Sequence, residues 1–107
     1  MGGSCDFNIH DGYPFLSNDD ETTEIAWNAA NEFLGKKMVV PLDLRMTSED
    51  FSFYSQEIPS CFYRLGIANM NKGINSGLHT NTFDIEHESL RTSIGLMSFI
   101  AVKMINQ

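Results

Sequence analysis

The sequence predicts an α/β fold, a mixed sheet flanked by helices. Three observations carry this expectation. Apolar residues recur at helical spacing near 18–35 and 86–106. They alternate at a period of two over 5–9 and 61–68, with a third short apolar run at 38–42 between the helical stretches. The order strand, helix, strand, helix, strand, helix is one that layers helices on a sheet.

Residues 5–9 place Cys5, Phe7 and Ile9 on one face and Asp6 and Asn8, with His10 following, on the other, the pattern of a half-solvated strand. Asp11-Gly12 ends it as a turn. Tyr13 is driven into an extended conformation because Pro14 follows it. Asn18 and Glu21 then have the spacing of a capping box, and the acidic run Asp19-Asp20-Glu21 suits the positive end of a helix. Ile25, Ala29 and Phe33 form the expected stripe of that helix, with Ala26, Ala30 and Leu34 beside them. Gly35 stops it, and Lys36-Lys37 complement its negative end.

Met38 to Leu42 reads as a short strand that Pro41 confines to an edge. Thr47 or Ser48 is expected to cap a short second helix carrying Phe51, Tyr54 and Ile58 on one face, with Pro59 past its end. Cys61 to Ala68 reads as a strand in which Tyr63, Leu65 and Ile67 alternate with Arg64 and Gly66. Asn69 to Gly77, rich in Asn and Gly, is a loop. The last helix is expected from about Glu86 to Asn106, burying Leu90, Ile94, Met97, Ala101 and Met104.

Composition narrows the function. Seven basic residues against 14 acidic ones give a net charge of -7. Nucleic acid and anionic membrane both reward clustered Lys and Arg, so neither is an expected partner. The most apolar run, Ile94 to Val102, is too short for a bilayer and reads as a buried helix. The N-terminal residues lack a basic and an apolar leader segment, and a cytoplasmic location is expected. Cys5 and Cys61 form neither CxxC nor CxxH, and two free, mostly buried thiols are the expectation.

Chemistry-bearing residues are few. His10 falls on the solvent face of the first strand and His87 in the first turn of the last helix, and both read as exposed structural histidines. His79 differs, because it closes a flexible loop, where catalytic side chains concentrate. A catalytic zinc site needs three protein ligands and an open position. The local donors are His79, Asp84, Glu86 and His87, and side chains at adjacent helical positions such as 86 and 87 diverge. A self-contained metal site is therefore not expected. Neither Cys nor any Ser has a recognisable base and orienting group, so nucleophilic catalysis is not expected either.

Several spaced motifs go further than periodicity. They are Met46-Thr47-Ser48-Glu49-Asp50-Phe51-Ser52-Phe53-Tyr54, Ile58-Pro59, Leu65-Gly66, Leu78-His79-Thr80 and Phe83-Asp84-Ile85, preceded by Gly12-Tyr13-Pro14-Phe15-Leu16-Ser17-Asn18-Asp19. In this order, across essentially the whole chain, they resemble the C-terminal part of the aminoacylase, hippurate hydrolase and indoleacetyl-amino-acid hydrolase family of metallopeptidases.

The resemblance implies a zinc-exopeptidase-like catalytic domain interrupted by a smaller lid that usually forms a homodimer contact. Residues 1–17 would be the last strand and exit of the lid, and 18–107 the closing third of the catalytic domain. It also implies two divalent ions (zinc, manganese, cobalt or nickel) sharing a hydroxide that attacks the amide of an N-acyl amino acid or small peptide. His79 matches the family's last metal ligand. Ser48 and Glu49 match a turn close to the substrate, whose helix N-terminus could face a product carboxylate. Capping of the helix by Ser48 and Asp50 is an equal alternative. The other ligands and the general-base glutamate belong upstream in the family, so no catalytic base is expected here and the missing N-terminal part becomes a required partner. The alternative is a truncated, non-catalytic module that acts by binding or oligomerisation.

Overall fold

Helix α1 spans Asp20–Leu34, α2 Ser52–Glu57 and α3 Glu88–Ile105, with a single 3-10 turn at Met70–Lys72. These come from a computed structural model that describes residues 2–107.

Helix α1 begins at Asp19, whose extended backbone lets its Oδ1 accept the Thr22 N–H at 2.8 Å. The expected Asn18–Glu21 box is displaced by one residue, because Asn18 is engaged elsewhere. Its amide nitrogen donates to the Phe62 carbonyl at 2.9 Å and its oxygen accepts the Phe62 N–H at 2.8 Å. Gly35 ends the helix at φ +90°, a conformation that favours glycine, and its N–H donates to the Asn31 carbonyl at 3.0 Å. Lys36 and Lys37 follow in a turn beyond the last helical residue.

The core lies between α1 and α3. Ala26, Ala29 and Ala30 bury one face of α1 against Leu96 and Ile100 of α3. Three alanines let the helices approach closely, and Phe33 and Phe99 close the seam with rings 5.6 Å apart. Lys103 pairs with Glu32 at 2.7 Å on the rim. The expected stripe on α1 is thus realised at Ala26, Ala29 and Ala30, while Phe33 stays 43 % exposed.

On α3 the expected face is wrong. Leu90, Ile94 and Met97 are exposed, whereas Ser89, Leu96 and Ile100 are buried and Phe99 and Met104 partly so. The helix is apolar nearly all round, so periodicity does not select which face meets α1.

No β-ladder forms among the described residues. The only strand-like pairing among them is an isolated antiparallel bridge between Asn69 and Ile74. The strands expected at 5–9, 38–42 and 61–68, and hence the mixed sheet, are absent as paired elements. The physical reason is that alternation sets which side chains can face a core, but a strand also needs a neighbour for its N–H and C=O groups. Residues 61–67 keep the alternation without that neighbour. Cys61, Tyr63 and Leu65 pack against the helical core, and Arg64 and Gly66 are exposed. The segment is tied at one end by the Asp19 N–H to the Ser60 carbonyl, and at the other by the Glu86 N–H to the Ile67 carbonyl, both at 2.9 Å. Residues 5–9 lie exposed, with Phe7 and Ile9 in solvent. Both cysteines are free, but Cys5 is exposed and Cys61 half-buried, against the expectation of two buried thiols.

The chain is open. Its radius of gyration is 18.8 Å, where a compact chain of this length reaches about 13 Å, and its extents are 67 × 40 × 20 Å. No helix among the described residues is long and apolar enough to cross a membrane.

Candidate functional site

His79 sits at the exposed tip of the loop that joins the 61–67 segment to α3. The stems of that loop are clamped. Glu86 accepts hydrogen bonds from the Asn69 side-chain amide and from the Lys72 ammonium, the latter at 2.9 Å, while its own N–H donates to Ile67. The Asn69–Ile74 bridge, turned through Gly73 at φ +72°, fixes the first stem. Nearer the tip, the Ser76 hydroxyl donates to the Thr82 hydroxyl at 2.9 Å, the Thr80 hydroxyl to the Gly77 carbonyl at 2.8 Å, and the Phe83 N–H to the Thr80 carbonyl at 3.2 Å.

Inside this scaffold His79 adopts φ +63°, the one non-glycine residue with positive φ among the described residues. The left-handed region costs a residue with a Cβ about 1–2 kcal/mol. Such strain persists only where the surroundings over-determine it, and it concentrates at functional sites. Position in a loop pointed to His79 from sequence, but the strain was not legible there.

The other local donors do not converge on it. Asp84 accepts the Ile85 N–H at 2.8 Å, Glu86 is held by Lys72 and Asn69, and His87 begins α3. Among the described residues no group of three or more His, Cys, Asp or Glu side chains is placed to hold a metal ion. Lys72 lowers the Glu86 pKa most, through its hydrogen bond, and Asn69 adds to this, so Glu86 stays ionised below the usual carboxylate range. The Asn69–Lys72–Glu86 clamp escaped sequence reasoning because its partners are up to 17 residues apart.

The second candidate segment is the turn into α2. Neither Thr47 nor Ser48 caps it, and Ser48 is exposed. Glu49 takes the capping role, accepting the Phe51 N–H at 3.4 Å, while the Ser52 hydroxyl donates to the Glu49 carbonyl at 2.5 Å. A carboxylate thus occupies the end of α2 where an anionic group was expected to dock. Tyr13 packs edge-on to Phe53, and Gln56 donates to the Phe15 carbonyl, joining residues 13–15 to α2. His10 and His87 are exposed, as expected.

The sequence profile of peptidase family M20/M25/M40 matches residues 3–102. The chain is 31 % identical over 94 residues to the IAA-amino acid hydrolase ILR1-like 6 of Arabidopsis thaliana, covering 88 % of this chain and 20 % of that protein. It is 26 % identical over 102 residues to a probable hydrolase of Synechocystis, covering 94 % and 26 %. It is 36 % identical over 91 residues to an uncharacterized hydrolase of Staphylococcus haemolyticus, covering 80 % and 22 %. The chain therefore spans about a fifth to a quarter of the length of the curated relatives it matches. No solved structure is a significant match. A profile that covers nearly the whole chain, with hydrolases as relatives, settles the family: this chain belongs to peptidase family M20/M25/M40.

Proposed function

We propose that this chain is the C-terminal portion of a hydrolase that cleaves the amide bond of N-acyl amino acids or small peptides. In this reading residues 1–17 close a lid domain, residues 18–107 complete the catalytic domain, and the assembled protein dimerises through the lid. His79 is the chain's contribution to a centre of two divalent ions. The observation that carries this reading is the strained, exposed His79 on a clamped loop.

One exposed imidazole does not by itself fit a dinuclear centre, and no neighbouring donors among the described residues complete it. No step of hydrolysis is therefore assigned to this chain alone. Its residues hold one donor in place: Glu86, Asn69 and Lys72 fix the stems of the loop, and Ser76 with Thr82 brackets its tip. The Ser48-Glu49 turn is proposed to lie on the substrate side. There the Glu49 carboxylate, already holding the Phe51 N–H, would favour a neutral or cationic part of the substrate over a free carboxylate.

The test is a chimera in which these 107 residues replace the segment they match in the Staphylococcus haemolyticus hydrolase. The expected result is hydrolysis within a panel of N-acyl amino acids, reduced at least ~10-fold by His79→Ala together with metal affinity. Unchanged metal content and rate in that variant would remove His79 from the centre.

A further inference from the structure

The second apolar face of α3 has no occupant within the chain. Leu90, Ile94, Met97, Ala101 and Ile105 recur at helical spacing along it, with Ile94 70 % exposed and Ile105 81 % exposed. The opposite side, through Leu96 and Ile100, is already filled by α1 and by the 61–65 segment. Single exposed apolar residues need no explanation, but a contiguous stripe along a whole helix marks an interaction surface.

The stripe adjoins the unpaired segment. The Tyr63 hydroxyl lies 3.8 Å from the Met97 sulfur, so residues 61–67 run along the border between the filled face and the empty one. The backbone of that segment lacks a ladder partner, and strands stack about 4.8 Å apart, so a helix about 10 Å wide spans two of them.

We infer that the edge of residues 61–67 and the Leu90–Ile105 stripe form one docking surface for a β-sheet supplied by the remaining polypeptide of the hydrolase. One strand pairs with 61–67 and the next lies under the stripe. This rests on the proposed reading of the chain as one portion of a longer enzyme. Size decides against a second copy of the chain as occupant. Eighteen residues make a helix about 27 Å long, so the stripe offers about 270 Å², well under the roughly 800 Å² per partner of a stable interface. A second helix would also leave the 61–67 backbone unpaired. The relatives, four to five times longer than their matched segments, contain polypeptide enough to supply a sheet.

Peroxide oxidation read by mass spectrometry tests this at Met97, in the 107-residue chain and in the chimera. Met97 is expected to oxidise freely in the chain and at least ~10-fold more slowly in the chimera. Ile94→Asp is expected to leave the helix content of the chain unchanged while lowering the melting midpoint of the chimera by several degrees. Met97 equally reactive in both proteins overturns the inference, as does a chimera that stays unfolded where the relative folds. A monodisperse dimer of the free chain with Met97 protected overturns it in favour of a second copy. A folded chimera that protects Met97 but cleaves no N-acyl amino acid leaves the docking surface standing and counts against the proposed function alone.

Discussion

The side chain of Asn18 pairs with the backbone of Phe62 as a neighbouring strand would, donating to its carbonyl at 2.9 Å and accepting its N–H at 2.8 Å. One amide thus joins the start of α1 to the segment that lies against the core. Asn18→Ala removes both bonds and is expected to lower stability by about 1–2 kcal/mol. Asn18→Asp keeps the acceptor but sets a carboxylate against the Phe62 carbonyl, and is expected to be at least as damaging. Urea unfolding followed by circular dichroism measures both, and equal stability of all three proteins would contradict the pairing.

Gly95 of α3 lies under the Phe33 ring, where an added Cβ would come within 2.7 Å of Cζ. Alanine gains about 1 kcal/mol of helix propensity over glycine. Displacing the ring from Phe99 forfeits a comparable amount, about 0.5–1.5 kcal/mol. Gly95→Ala is therefore expected to be nearly neutral, but to stabilise by roughly 1 kcal/mol in a Phe33→Ala background. Equal effects in the two backgrounds would show that the ring does not sit over the glycine.

The Glu86 clamp predicts a pH dependence. Its carboxyl is held below the usual carboxylate range, first by Lys72 and then by Asn69. A lowered folded-state pKa adds stability that is present above the unfolded value of about 4.3 and is lost as pH falls through the folded value. Glu86→Gln should thus be less stable than the parent at neutral pH, with the gap constant above about pH 5 and closing in acid. Asp19, lowered by hydrogen bonds from the Thr22 side chain and then its backbone, acts in the same direction and is unaffected by this substitution. A gap that is the same at pH 3 and pH 7 would remove the carboxylate from the clamp.

His79 separates stability from function. At φ +63° glycine carries no Cβ penalty, so His79→Gly is expected to be more stable than His79→Ala by about 1 kcal/mol. In the chimera both substitutions should lower metal affinity equally. If affinity followed stability instead, the loss would come from loop distortion and not from the missing imidazole.

How much of this was legible depended on whether the information was local. The limits of α1 followed from Asp20-Glu21 and Gly35, and its small-residue face from the spacing of Ala26, Ala29 and Ala30. The extent of α3 was legible but its orientation was not, because Leu90, Ile94 and Met97 are as apolar as Leu96 and Ile100. The alternation of 61–67 was legible and survives as a burial pattern. Pairing into a sheet is non-local, and no partner strand is present among the described residues. At the candidate site, His79 was marked by its place in the loop and by the motif around it. Its strain and its Glu86 scaffold depend on backbone conformation and on contacts across 14 to 17 positions, which spacing does not encode.

Metal stoichiometry is the most direct trial of the account. Equilibrium dialysis against zinc or manganese, with elemental analysis, should find no tightly held ion on the purified 107-residue chain. The chimera should hold two, with the complement depleted by His79→Gly. Two ions retained by the short chain, together with release of an amino acid from an N-acyl substrate, would contradict it.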